Sequence, residues 1–312
     1  MEVFGLKSQS LRYEMDGFGS VQMYLTTPSD YSGLTPRTAH THHHHPGRHS
    51  LMQAATANRN TMSAVPTQYQ RLQQHPKTTL VVGASRGVGK ELVRQLAQQH
   101  PEARVIASVR SPVDDDDDAG DDDDGHPAGN VRHITLDQSC SKSVSEAALA
   151  VGALDTLIVN AAVGDDERLL DTSDERMARY LDVNVTGVLR VVRAFLPALK
   201  ARKTRQVVLV SSTSGSLARQ VGARAGFRGP YAVSKAALNM LAVQLHNELH
   251  ADHGFTVVPV HPGWVATDMG RRAGDGGMPV AESAAGIVKV VVGLTPQNSA
   301  TFYSYDGTIL PW

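Results

Sequence analysis

The stretch "TTLVVGASRGVGKELVRQLAQQH", Thr78 to His100, decides how the rest of this chain is read. It opens with a short β-branched run, Thr78 to Val82, that ends at Gly83. It then turns through Gly87 and Gly89 into a segment where Leu92, Val93 and Leu96 share one helical side. Glycines between a strand and a helix allow a tight turn and close approach of backbone to a pyrophosphate, which then sits at the positive end of the helix. Such a turn can also be purely structural, so the rest of the chain has to support the reading.

Outward from this turn the same rhythm repeats. Apolar runs at 104–109, 132–136, 155–161, 204–212, 255–261 and 301–305 alternate with helical patterns starting near Lys142, Asp174 and Tyr231 and spanning about 282–294. Strands alternating with helices predict an α/β fold, a doubly wound, mainly parallel seven-stranded sheet (Rossmann-like) with helices on both faces. One domain is expected over 77–312, broken by an acidic loop insert at 111–129. That insert holds nine aspartates, whose mutual repulsion should keep it extended and solvated. Residues 1–76 lack sustained periodicity and include the tract "HTHHHHPGRHS", so a disordered low-complexity extension is expected there.

Composition narrows the classes of function. The 312 residues are 41% hydrophobic and 20% charged, with a net charge of −1, which gives no footprint for nucleic acid or a membrane as partner. Without the nine clustered aspartates the remainder would carry +8, which suits an anionic cofactor. The single cysteine, Cys140, excludes an internal disulfide and fits a reducing compartment. No apolar run is long enough to span a bilayer and no secretory leader is apparent, so a cytoplasmic location is expected, with organellar import left open. Neither the histidine tract nor the aspartate run has the spacing of a defined metal site, and no metal is expected.

Beyond the glycine turn, further motifs follow in a fixed order: "NAAVG" (Asn160 to Gly164), Asn184 in "DVNVTG", Ser212 in "LVSSTSG", "YAVSK" (Tyr231 to Lys235) and "HPGWVATDM" (His261 to Met269). Tyr231 and Lys235 are four residues apart, about one helical turn, so both project from one face. In this order and setting the chain resembles the short-chain dehydrogenase/reductase family over essentially 77–312. More narrowly, "HPGWVATDMG" and the closing "YDGTILPW" resemble the C-factor and sniffer-like carbonyl reductases.

The resemblance implies an oxidoreductase that moves hydride from NADPH to a ketone or aldehyde, with Asn184, Ser212, Tyr231 and Lys235 as the catalytic set. Tyr231 would act as general acid and Ser212 would polarise the carbonyl oxygen. Lys235 would lower the phenol pKa and hold the nicotinamide ribose, and Asn184 would hold a water linking Lys235 to solvent. Read singly, Ser212 could merely end a strand and Asn184 merely interrupt a helix.

Cofactor-binding residues implied in the same way are Gly83, Ser85, Arg86, Gly87, Val88, Gly89, Arg110, Asp137, Asn160, Ala161, Ala162, Tyr231, Lys235, Pro262, Gly263, Val265 and Thr267. Arg110, at the end of the second strand, stands where an acid would select NAD(H), and Arg86 lies within the glycine turn. Guanidinium groups match a 2'-phosphate, so NADP(H) is expected over NAD(H). Val82 and Ala162 depart from the family's frequent Thr and Gly. The 19 positions from Ser212 to Tyr231 make a longer loop than many members have, expected to border the substrate site. A small carbonyl compound is the expected substrate partner, its identity not readable. The resemblance implies a monomer or a homodimer through the fourth and fifth helices. A non-catalytic NADP(H)-binding sensor or scaffold is the alternative.

Overall fold

The computed structural model describes residues 10–15, 21–26, 75–111, 129–223 and 226–312 of the chain. The chain forms two compact units, Met1–Ser63 and Ala64–Trp312. In the first unit β1 (Ser10–Met15) pairs antiparallel with β2 (Val21–Thr26), a register that sets Leu11 opposite Leu25 and Met15 opposite Val21. This pairing falls within the segment expected to stay unfolded. The rest of 1–74, with the histidine tract, lies outside the described residues, as does the aspartate insert between Ser111 and Gly129.

The second unit alternates strands and helices. In chain order these are β3 (Thr78–Val82), α1 (Gly87–Gln99), β4 (Arg104–Val109), β5 (Val131–Thr135), α2 (Ser141–Ala150), β6 (Thr156–Val159), α3 (Asp174–Leu181) and α4 (Gly187–Lys200). There follow β7 (Gln206–Val210), α5 (Leu217–Gln220), α6 (Gly229–His253), β8 (Thr256–His261), α7 (Asp268–Arg271), α8 (Val280–Gly293) and β9 (Tyr303–Ser304). The strands form one sheet in the order β5-β4-β3-β6-β7-β8-β9, every pairing parallel. The expected doubly wound sheet is therefore present, and its strand order reverses between β3 and β6.

The unbroken apolar character of the strands follows from burial on both faces. Alternate residues of β3 go to opposite cores, Leu80 and Val82 to one and Val81 to the other. β6 and β7 divide the same way, Leu157, Val159, Val207 and Leu209 against Ile158, Val208 and Val210. One core is closed by α2, α4 and α6 through residues such as Val144, Val191, Phe195, Leu238 and Leu245. The other is closed by α1 and α8 through Leu92, Leu96, Ile287 and Val291. With both faces covered, the carboxyl edge of the sheet at the β3/β6 reversal is where a crevice can open.

Between α3 and α4 the helix widens into a π turn, Asp182–Thr186. Such single turns accommodate one extra residue and often mark functional sites. No helix among the described residues is long and apolar enough to cross a membrane.

Phe195 is fully buried on α4. Replacing it with alanine leaves a cavity the parallel sheet cannot collapse into, and should cost about 3–5 kcal/mol in urea unfolding while the far-ultraviolet circular dichroism of the folded state is kept.

Candidate active site

The glycine turn is fixed from both sides of the strand reversal. The Gly83 N–H donates to Ser108 Oγ on β4 (3.0 Å), and Asn160 Nδ2, beyond β6, donates to the Gly83 carbonyl (2.8 Å). Gly83 has φ +83°, and a Cβ on it would lie 2.6 Å from the Ala161 Cβ, so no other residue fits there. α1 begins with neither a capping side chain nor an acid in its first turn, unlike α3, whose first turn is capped by Ser173 and carries Asp174 and Glu175. Its first N–H groups are thus left for an anion.

This turn forms one end of a cleft of about 1070 Å³. Every residue expected to bind the cofactor or carry the chemistry lines it, except Gly89 and Asn184, which are buried behind it. Near the glycine turn, Asp137 accepts from both the backbone N–H and the hydroxyl of Ser139 (2.9 and 2.7 Å). Those bonds hold its carboxyl below the usual value, with Arg110 and Arg190 adding to the effect. Arg110 is exposed at the end of β4. Arg86 pairs with Asp268 (3.1 Å), which also takes Arg271 (2.7 Å). Thr267 lies over the turn: its Cγ2 would meet a Cβ on Gly87 at 3.2 Å, while its hydroxyl caps α7 by accepting from the Gly270 N–H (3.0 Å).

The residues expected to carry the chemistry come together at the other end. α6 presents Tyr231 and Lys235 from one face, with the Lys235 nitrogen 5.7 Å from the centre of the tyrosine ring. Lys235 is only 2% exposed and donates to the Val210 carbonyl at the end of β7 (2.8 Å). Burial dominates both groups: it pushes the lysine down to about 7 and the phenol up to about 12, although hydrogen bonding with Ser212 pulls the phenol the other way. In a site this dry, burial is the largest influence on both groups. Ser212 follows β7 and its hydroxyl accepts from the Ser214 N–H (3.1 Å).

Asn184 sits on the π turn, fully buried. Its amide donates to the Val163 carbonyl and to Ser234 Oγ, and its oxygen accepts from the Val163 N–H, all at 2.9 Å. Both of its donors are thus spent on protein, which ties the loop after β6 to α6.

Several lining residues were not picked out from the sequence. His261, at the end of β8, accepts the Thr213 N–H on Nδ1 (3.3 Å), and burial pushes it down to about 4, so it stays neutral beside Ser212. Gly164 had only its place in "NAAVG" as a signal, yet a Cβ there would lie 2.9 Å from the Tyr231 ring. Phe227 comes from the long loop before α6, which borders the cleft as expected. Met269, by contrast, is one of the residues through which the sequence suggests a partly apolar pocket, and it packs with Tyr180, Phe227 and Tyr231.

Residues 77–276 match the family model described as short chain dehydrogenase. The chain belongs to this family. It is an oxidoreductase fold with carbonyl reductase-like relatives, as the motif order implied. The C-signal protein of Myxococcus xanthus is 41% identical over 165 residues, 53% of this chain and 96% of that protein. The structure of an NADPH-bound carbonyl reductase from chicken fatty liver superposes with a TM-score of 0.69 at 29% identity, covering 77% of this chain and 96% of that one. The carbonyl reductase Sniffer of Drosophila melanogaster gives 0.65 at 25% identity, covering 76% and 100%.

The depressed Lys235 value has a consequence for stability. Between about pH 7 and 10 the unfolded chain holds a proton on this lysine that the folded chain releases, so stability rises with pH across that window. Above pH 10 it falls, because the raised Tyr231 keeps its proton only when folded. Lys235→Met should flatten the rise and stabilise the fold at pH 7 by on the order of 1–3 kcal/mol, read from urea midpoints across the pH range.

Proposed function

We propose that the protein is an NADP(H)-dependent carbonyl reductase acting on a ketone or aldehyde. The observation that carries this reading is a phenol and an amine, both buried, side by side on α6 and facing Ser212 across a cleft that also holds the glycine turn. The turn fits a dinucleotide: it has no side chain where Gly83 meets Ala161, and the first turn of α1 offers uncapped N–H groups. Bound there, NADPH would supply the hydride.

The residues of the chain do the rest. A phenol raised to about 12 stays protonated through the neutral range, which suits Tyr231 as the acid that gives its proton to the carbonyl oxygen. Ser212 donates a hydrogen bond to that same oxygen as its charge grows. Lys235, at about 7, exchanges protons readily near neutrality, and its charged form stabilises the phenolate left after transfer. Asn184 holds the Val163 loop against α6, which keeps Tyr231 and the loop in register.

Tyr231→Phe should lower turnover of an NADPH-linked carbonyl substrate at least ~1000-fold while the dissociation constant for NADPH, measured by protein fluorescence quenching, changes less than about threefold. Retained turnover rules out the assignment. Unchanged NADPH binding combined with no reduction of any carbonyl compound by the unmodified protein would instead favour a non-catalytic sensor.

Arg110 is proposed to meet the 2'-phosphate, supported by its exposure at the end of β4 beside Asp137. Arg110→Ala should weaken NADPH binding about tenfold and NADH binding much less, in the same fluorescence titration.

A further inference from the structure

The part of the cleft beyond Ser212 is walled by three buried aromatic side chains: Tyr180 from α3, Phe227 from the loop before α6, and Tyr231. Phe227 meets Tyr231 edge-on, ring centres 5.0 Å apart at 77°, and Val163, Met269 and Ala273 pack against the group. A ligand entering this chamber exchanges water for apolar surface on most sides. Within this apolar group the polar atoms are the hydroxyls of the two tyrosines, while Asp165, Arg176 and Arg272 line the cleft beside it.

Tyr231 is accounted for by the proton it gives. Tyr180 is not used by any step. It is only 4% exposed, yet it lines the cleft and lies near enough to Tyr231 for its charge to raise that phenol. Arg176, one turn earlier on α3, hydrogen-bonds the Tyr180 phenol. A guanidinium has donors only, so in this pair the Tyr180 oxygen must accept. Its own O–H is then left to donate: the carboxylates whose charges reach it, Glu167 and Asp165, are both engaged by Arg176, and the phenol lines the cleft.

Arg176 is itself held on the other side by Glu167 and by Asp165 (3.5 Å), and Asp165 also takes Arg272 from beyond α7 (3.8 Å). The donor that fixes Tyr180 is thus braced from two directions. Burial, with the Glu167 charge, keeps the phenol above its ordinary value, so it remains a neutral donor at any working pH.

We infer that Tyr180 is a specificity-determining residue, whose hydroxyl donates to a second oxygen on the substrate. The preferred substrates are carbonyl compounds with an apolar body that also carry a hydroxyl, ether or further carbonyl oxygen within reach of Tyr180. This rests on the reductase reading of the same site. A polar atom buried in an apolar chamber discriminates strongly, because an analogue without the matching oxygen leaves the donor unpaired.

The test is a matched set: acetophenone and its ortho-, meta- and para-hydroxyl isomers. Reduction with NADPH and equilibrium binding to the NADP⁺-saturated full chain by calorimetry are both measured, for the unmodified protein and for Tyr180→Phe. At least one isomer should exceed the parent about tenfold in kcat/KM and in affinity. Tyr180→Phe should bring that ratio close to one, with the change falling on KM rather than kcat, since the contact is made in the ground state and the transition state alike. No preference in either measurement, or a preference that survives in Tyr180→Phe, overturns the assignment. If Tyr231→Phe still turns the set over, the reductase reading fails, and the binding ratio continues to judge Tyr180 separately.

Discussion

An amine held away from water and fastened to one backbone carbonyl is the constraint around which the rest of this protein is arranged. The Lys235 nitrogen reaches the Val210 carbonyl only because α6 lies directly over the carboxyl end of β7. That placement requires the parallel sheet and the long helix to meet at a fixed depth. The same contact puts Tyr231 one turn earlier, against Phe227 and over Gly164. The site is less a collection of residues than a by-product of how one helix crosses one strand end, and the lysine accepts a depressed proton affinity as the consequence of sitting there.

Much of this was legible beforehand, for a reason specific to parallel sheets. Strands covered on both faces read as unbroken apolar runs, so β3, β4, β6, β7 and β8 stood out as "TTLVV", "RVIASV", "TLIV", "QVVLV" and "TVVPVH". The glycine turn was readable because it lies between a strand and a helix, where Gly83 has no alternative. β9 shrank to two residues, since only Tyr303 and Ser304 of the 301–305 run pair with Val260 and His261. The pairing of Leu11 with Leu25 in the N-terminal unit went unread, although β1 alternates polar and apolar residues.

What stayed hidden was whatever depended on distance in space. Tyr180, Met269 and the Phe227–Tyr231 stretch come from three separate segments, and nothing local to them signals that all three converge. Gly164 matters only because a tyrosine ring from α6 fills the place its side chain would need. Spacing likewise reports that an amine is a turn away, but not how little water reaches either group.

The π turn at Asp182–Thr186 also bears on how this chain can change. It holds one residue more than an α-helix would at the same rise. Removing that residue would let a regular spiral run through, with Val191, Phe195 and Leu199 keeping their places in the core beneath. What would go is the bulge that presents Asn184, so the irregularity is separable from the layer that supports it.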